Sequence, residues 1–164
     1  MTSPLPALAH EHHERLMHQI DRMPALGDSV GVAAPADLAR AVDELTAFLE
    51  GTLVPHIAAA ERTLYPELER LLQNQHSMKP MRREHDEVRR LIAELAAVRP
   101  GLEVRQPSIR TIVAVRRAVF GLYALLKVHL AEEELYLTLV EHGVSDEAAA
   151  TLATAMDHPM VVSA

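Results

Sequence analysis

The sequence predicts an all-α protein, an up-down-up-down four-helix bundle with a short C-terminal helix. Three observations point there: apolar residues recur at spacings of three and four along most of the chain, Gly- and Pro-rich breakers separate four long periodic segments, and no strand-like alternation competes. Helix one carries Leu5, Leu8, His12, Leu16, Ile20 and Met23, and "PALGDSVGVAAP", from Pro24 to Pro35, reads as the loop that ends it. Helix two runs from Asp37 to Leu72 on the stripe Leu45, Leu49, Leu53, His56, Leu64, Leu68 and Leu71. It passes through Gly51 and Pro55, so a kink is expected where proline removes a backbone hydrogen bond. "QNQHSMKP" closes it. Helix three repeats Met81, His85, Val88, Ile92 and Leu95 up to the breaker "RPGLEVRQP". Ser108 caps helix four, which carries Ile112, Val115, Val119, Leu122, Leu126, His129, Glu133, Leu137 and Val140 before Gly143 stops it. A tail helix then starts at Ser145 and ends before Pro159. The expected organisation is a bundle over residues 1–144 and a helical tail over 145–164. Mostly short connections favour alternating helix directions.

Composition narrows the function classes. The 164 residues are 49% hydrophobic and 3% aromatic, enough aliphatic side chain for one core that folds alone. Acidic residues outnumber basic ones 23 to 16, and the formal net charge of -7 with dispersed Arg and Lys gives no footprint for nucleic acid or anionic membrane. With no cysteine there are no disulfides and no thiolate metal sites. The opening "MTSPLPALAHEHHERL" lacks a basic start followed by an apolar signal core, and no apolar run is long enough to span a bilayer. A cytoplasmic protein is expected.

A faint internal repeat singles out four histidines. "EHHE" at Glu11–Glu14 returns as "EHDE" at Glu84–Glu87, and "HIA" at His56 returns as "HLA" at His129, both at an offset of 73 residues. His12 to His56 and His85 to His129 are therefore each 44 residues apart, as for a duplicated helix hairpin. At about 100° per residue, His56, His85 and His129 lie on the apolar stripes, while His12 and His13 flank their stripe at roughly 40° and 60°. Facing does not choose between those two; the repeat chooses His12. His10 and His18 point outward, and His76, His142 and His158 fall at helix ends or in the tail. A lone histidine on an apolar stripe is more often a hydrogen-bonded core residue than a ligand. One per helix, in register, is a different matter: each buried imidazole needs partners, and a shared metal supplies them at one stroke.

The carboxylates refine this. Glu133, four residues after His129, shares its face; Glu134 and Glu61 each follow a histidine by five residues, about 140° around an ideal helix, and fit only if the helix is distorted. Pro55 supplies a candidate distortion. Facing favours Glu133 and the repeat, matching Glu61, favours Glu134. Histidine plus carboxylate without sulfur suits iron first, with manganese and zinc behind it, and carboxylates able to bridge favour a pair of ions. Tyr136, seven residues after His129, and Tyr65, four after Glu61, are placed to donate a hydrogen bond at such a centre, or to be ordinary core tyrosines. The methionines read as packing.

The fragments "EH" at Glu11 and His12, "HIAAAERTLYPEL" at His56–Leu68, "REHDEVRRL" at Arg83–Leu91 and "HLAEEELYL" at His129–Leu137 resemble the hemerythrin-like family of HHE cation-binding domains over nearly the whole chain apart from the tail. The resemblance implies a four-helix bundle around two iron ions, an oxo- or hydroxo-bridged di-iron centre that carries or reacts with dioxygen, peroxide or nitric oxide. It also implies His12, His56, His85 and His129 as nitrogen donors. Two positions depart from the pattern: Ala60 stands where many members have a glutamate, and Arg89 where oxygen-carrying members have a further histidine. Fewer donors mean more open coordination, which suits catalase-like turnover. A reversible oxygen or iron sensor, and a helical scaffold with a degenerate site, are the competing expectations.

Overall fold

A computed structural model describes residues 5–103 and 106–143, with side chains over 10–103 and 106–140. Every regular element among them is helical. The first long rod is α1 (Leu5–Ile20). The second is continuous from Pro35 to Leu71 but not uniform: α3 (Pro35–Phe48), a π-helical turn (Leu49–Leu53), α4 (Val54–Ala59), a second π turn (Ala60–Leu64) and α5 (Tyr65–Leu71). The third is α6 (Lys79–Val98), extended by a 3₁₀ turn (Arg99–Leu102), and the fourth is α7 (Ile109–Gly143). The tail helix expected from Ser145, and with it the boundary at 144/145, lies outside the described residues.

Between the first two rods, the sequence reading of a loop from Pro24 to Pro35 is corrected. Met23–Ser29 forms a helix, α2, with Pro24 in its first turn, where a missing N–H costs nothing. Gly27 lets α2 settle on α7: a Cβ there would stand 2.6 Å from the Phe120 ring.

The expected distortion of rod two takes the form of the two π turns. In each, the N–H of the residue after the turn reaches back five residues, Val54 to the carbonyl of Leu49 and Tyr65 to that of Ala60. A proline follows at once, Pro55 and Pro66. Each proline lacks a donor and crowds the carbonyl four residues back, and the wider turn absorbs both defects without breaking the rod. Helix four begins as expected, with Ser108 Oγ accepting from the Thr111 N–H at 3.1 Å.

The apolar faces form two separate clusters. The larger, built on Leu16, Ile20, Val42, Leu49, Leu53, Val88, Leu95, Val119 and Leu126, fills one end; the smaller joins Ala60, Leu64, Tyr65, Leu68, Met78, Met81, Leu137 and Val140 at the other. Among the described residues the buried polar side chains are His12, His13, His56, His85, His129 and Glu133, contributed by all four rods.

Candidate metal centre

Each rod delivers its histidine because the residues around it are apolar at helical spacing, which fixes the rotation of the rod and leaves one polar position facing inward. The result is a polar layer with two halves. In the first, α1 supplies His13 and α4 supplies His56, and α7 sends Glu133 between them: Glu133 Oε2 lies 3.0 Å from His56 Nε2 and 3.3 Å from His13 Nε2. Donor atoms of these three buried residues lie within 4.8 Å of one another, close enough to share an ion. In the second half, α6 and α7 bring His85 Nε2 and His129 Nε2 to 3.1 Å, and the Tyr65 hydroxyl is 3.1 Å from His85 Nε2 with its ring stacked on the imidazole.

Around this inner set runs an outer one. The Nδ1–H of His85 donates to Glu61 (2.7 Å), that of His129 to Glu84 (2.9 Å) and that of His13 to Glu134 (2.8 Å). Carboxylates on the far nitrogen fix the tautomer and turn the near nitrogen's lone pair inward, as partners of metal-binding histidines do. His56 differs, with His12 Nε2 at 3.1 Å from its Nδ1.

The positions expected from sequence are thus sorted by geometry. His56, His85, His129 and Glu133 face the interior. Glu61 and Glu134, five residues after their histidines, turn instead to the Nδ1 of a histidine on a neighbouring rod, so the π turn that rotates Glu61 does not bring it to the inner set. On α1 it is His13 that stands beside Glu133, whereas His12 backs His56. The repeat pointed to His12 because its offset of 73 holds between rods two and four; between rods one and three the working offset is 72, so that His12 and His13 take the places of Glu84 and His85. Sequence reasoning gave Glu84 no role, though its place beside His85 in the repeated "EHDE" was the available signal. Of the two tyrosines Tyr65 enters the layer, while Tyr136 packs against the smaller apolar cluster. Arg89 Nη2 donates to Glu61 at 3.0 Å and so braces the outer set. His10 and His18 are exposed, as expected.

Electrostatics separates the halves. Burial opposes the charge on Glu133, yet His56 and His13 outweigh it and hold the carboxylate well below its usual pKa. Burial likewise lowers His13, but the nearby charges of Glu133 and Glu134 and the Nδ1–H bond to Glu134 prevail and its pKa is raised. His85 is pushed down to about 4 by burial and by His129 beside it, against the pull of Glu61 and Glu133. Burial and the charges of Glu133, Glu61 and Glu84 push the Tyr65 phenol up, so it keeps its proton at neutral pH.

Does a cation fit? His13 Nε2 and Glu133 Oε1 are buried without a hydrogen-bond partner, and orphaned inward-facing lone pairs are what a positive ion satisfies. The donors are imidazole and carboxylate, the set of intermediate and hard divalent metals. No helix among the described residues is long and apolar enough to cross a membrane. Compared with known families, residues 7–140 match the profile of the hemerythrin HHE cation binding domain. Neither a curated protein nor a solved structure gives a significant match.

Proposed function

The chain belongs to the hemerythrin HHE cation-binding family, and from that premise we propose that it is a cytoplasmic non-heme di-iron protein, its rods an up-down-up-down bundle, that reacts with dioxygen, peroxide or nitric oxide. The observation that carries the reading is the buried Glu133, flanked by the Nε2 atoms of His13 and His56 and left with a free Oε1. His13 and His56 would hold one ion, His85 and His129 the other, and Glu133 would lie between them; its charge acts on His13, His56, His85 and Tyr65 alike. Iron, when bound, supplies the redox and ligand-binding chemistry toward the small diatomic or peroxide ligand; manganese and zinc are the lesser alternatives.

The chain's own groups do the rest. Tyr65 holds a protonated hydroxyl at the His85 side, a hydrogen-bond donor within the layer. Glu61, Glu84 and Glu134 keep three imidazoles oriented. The apolar clusters on either side keep bulk water away. Ala60 and Arg89, standing where a carboxylate and an imidazole would add donors, support peroxide-consuming turnover of catalase type over reversible carriage.

Protein purified from iron-replete cells is expected to hold two irons per chain by elemental analysis, to absorb in the near-ultraviolet through charge transfer to iron, and to consume added hydrogen peroxide. Zinc as the sole bound metal would sink the proposal. Reversible oxygen spectra without peroxide loss would move it to the sensor class.

A further inference from the structure

The fourth rod is apolar on two sides. Its inner stripe, with Val115, Val119, Leu122, Leu126 and Leu137, is buried, and α1, α2, α5 and α6 pack against the helix. The outer side of such a helix is ordinarily polar, and here it is not. Among the described residues seven large apolar side chains are exposed, and five of them stand on α7: Ile109, Val113, Val128, Leu135 and Leu139, each between 46% and 75% exposed. At about 100° and 1.5 Å per residue, all five fall within roughly 60° of Ala124, itself exposed, and form one seam about 45 Å long. Apolar residues exposed singly are ordinary; a continuous seam of them marks a contact.

The seam fits its own copy. Leu135 and Val113 lie eleven positions either side of Ala124, and Leu139 and Ile109 fifteen. A twofold axis at Ala124, with the two helices antiparallel, sets these side chains against one another, and the small residue at the axis lets the backbones close. Charge selects the same direction. Arg110, Arg116 and Arg117 come before Ala124, Glu132 and Glu134 after it, and Lys127 is turned to Asp21 at 2.9 Å. Within the seam stands Arg117, exposed and held to Glu94 only at 3.4 Å. Seven places before the axis, it meets Ala131 of the second copy, seven after, where a small side chain leaves room for it and Glu132 stands alongside. A parallel pair would set arginine on arginine and glutamate on glutamate.

We infer that the outer face of α7 is a homodimer interface, an isologous antiparallel pair of fourth rods centred on Ala124. The metal centre plays no part in it: His129 and Glu133 are buried on the inner side, and the pairing holds with or without ions.

Sedimentation equilibrium of the full-length protein is expected to show a reversible dimer. Leu135→Glu, on an exposed side chain, is expected to raise the dissociation constant by at least about tenfold, because the contact is lost twice per dimer. The chain has no cysteine, so introduced ones report position. Under mild oxidation Ala124→Cys is expected to cross-link to its own copy. Val113→Cys and Leu135→Cys, each about 33 Å from its own counterpart in the antiparallel pair, cross-link only when mixed. Self-linking of Leu135→Cys, or a dimer that Leu135→Glu leaves unchanged, overturns the pairing. So does a chain that is monomeric at every concentration; maleimide labelling of Ala124→Cys then tells a bare seam, free for a different protein, from one covered by other residues of the same chain.

Discussion

Rods two and four carry the same sequence phrase, histidine followed five residues later by glutamate, yet one is interrupted by a π turn there and the other is a continuous α-helix. On α7 the helix is uninterrupted through His129, Glu133 and Glu134. On rod two the corresponding stretch crosses from α4 into a π turn. The glutamates at the fifth place nonetheless do the same work, Glu61 for His85 and Glu134 for His13. The difference sits one residue earlier, where α7 has the buried Glu133 and rod two the buried Ala60. Two of the three outer braces, Glu61 and Glu134, therefore form a symmetric pair, while the inner carboxylate is single and, on the proposed di-metal reading, both halves would depend on it.

That dependence makes Glu133→Gln the largest expected effect: the amide keeps the shape and loses the charge, and bound metal should fall by more than the roughly 10–100-fold that loss of an outer partner costs, as read by elemental analysis after dialysis. Retained iron at wild-type level would mean the halves do not share this group. Next comes Tyr65→Phe, which removes only the hydroxyl facing His85; peroxide consumption is expected to drop by about 100-fold, the low end of the contribution of a positioned acid, with metal content unchanged. Ala60→Glu gives rod two the carboxylate it lacks. Ala60 has no exposed surface, so overpacking is expected to cost the metal-free protein about 1–3 kcal/mol in urea unfolding. Part of that loss should return on metal addition if the new carboxylate reaches the layer.

The smallest effects concern pH and set the two halves against each other. His85, lowered to about 4, is neutral in the folded state and charged in the unfolded state between that value and about 6.5. Its contribution is present above 6.5 and is lost as pH falls through that window, because the unfolded chain there binds more protons. His13 is raised and works in the opposite sense: its contribution is present below 6.5 and is lost as pH rises through its folded value. In metal-free protein, His85→Phe should flatten the acid side of the stability profile and His13→Phe the side above 6.5, measured by chemical denaturation from pH 4.5 to 8. Equal changes in both would erase the distinction.

Much of this was legible in the sequence, for physical reasons that also mark where legibility ended. The four rods follow from apolar spacing and from breakers, and the inward histidines follow from the same stripes, since a polar residue on such a stripe has nowhere else to point. α2 was hidden because Pro24 and Gly27 are breakers in most contexts, and only packing against Phe120 turns them into a helix start and a close contact. His13 was hidden because a period cannot separate neighbours that straddle a stripe, and the repeat that settled the choice slips by one residue on rod one. The π turns were legible only as an unspecified defect near Pro55. Glu84, and the choice of Tyr65 over Tyr136, needed the third dimension, for the partners lie on other rods.

Among the described residues, the two apolar clusters on opposite sides of the histidine layer differ in size. Among the described residues the smaller, holding Leu64, Leu68, Met78, Met81 and Leu137, is built from the second, third and fourth rods, and regions with few buried neighbours open without the rest of the fold. If that end opens first, its amide hydrogens exchange faster than those of the larger core, and an ion held in the layer between them slows that exchange.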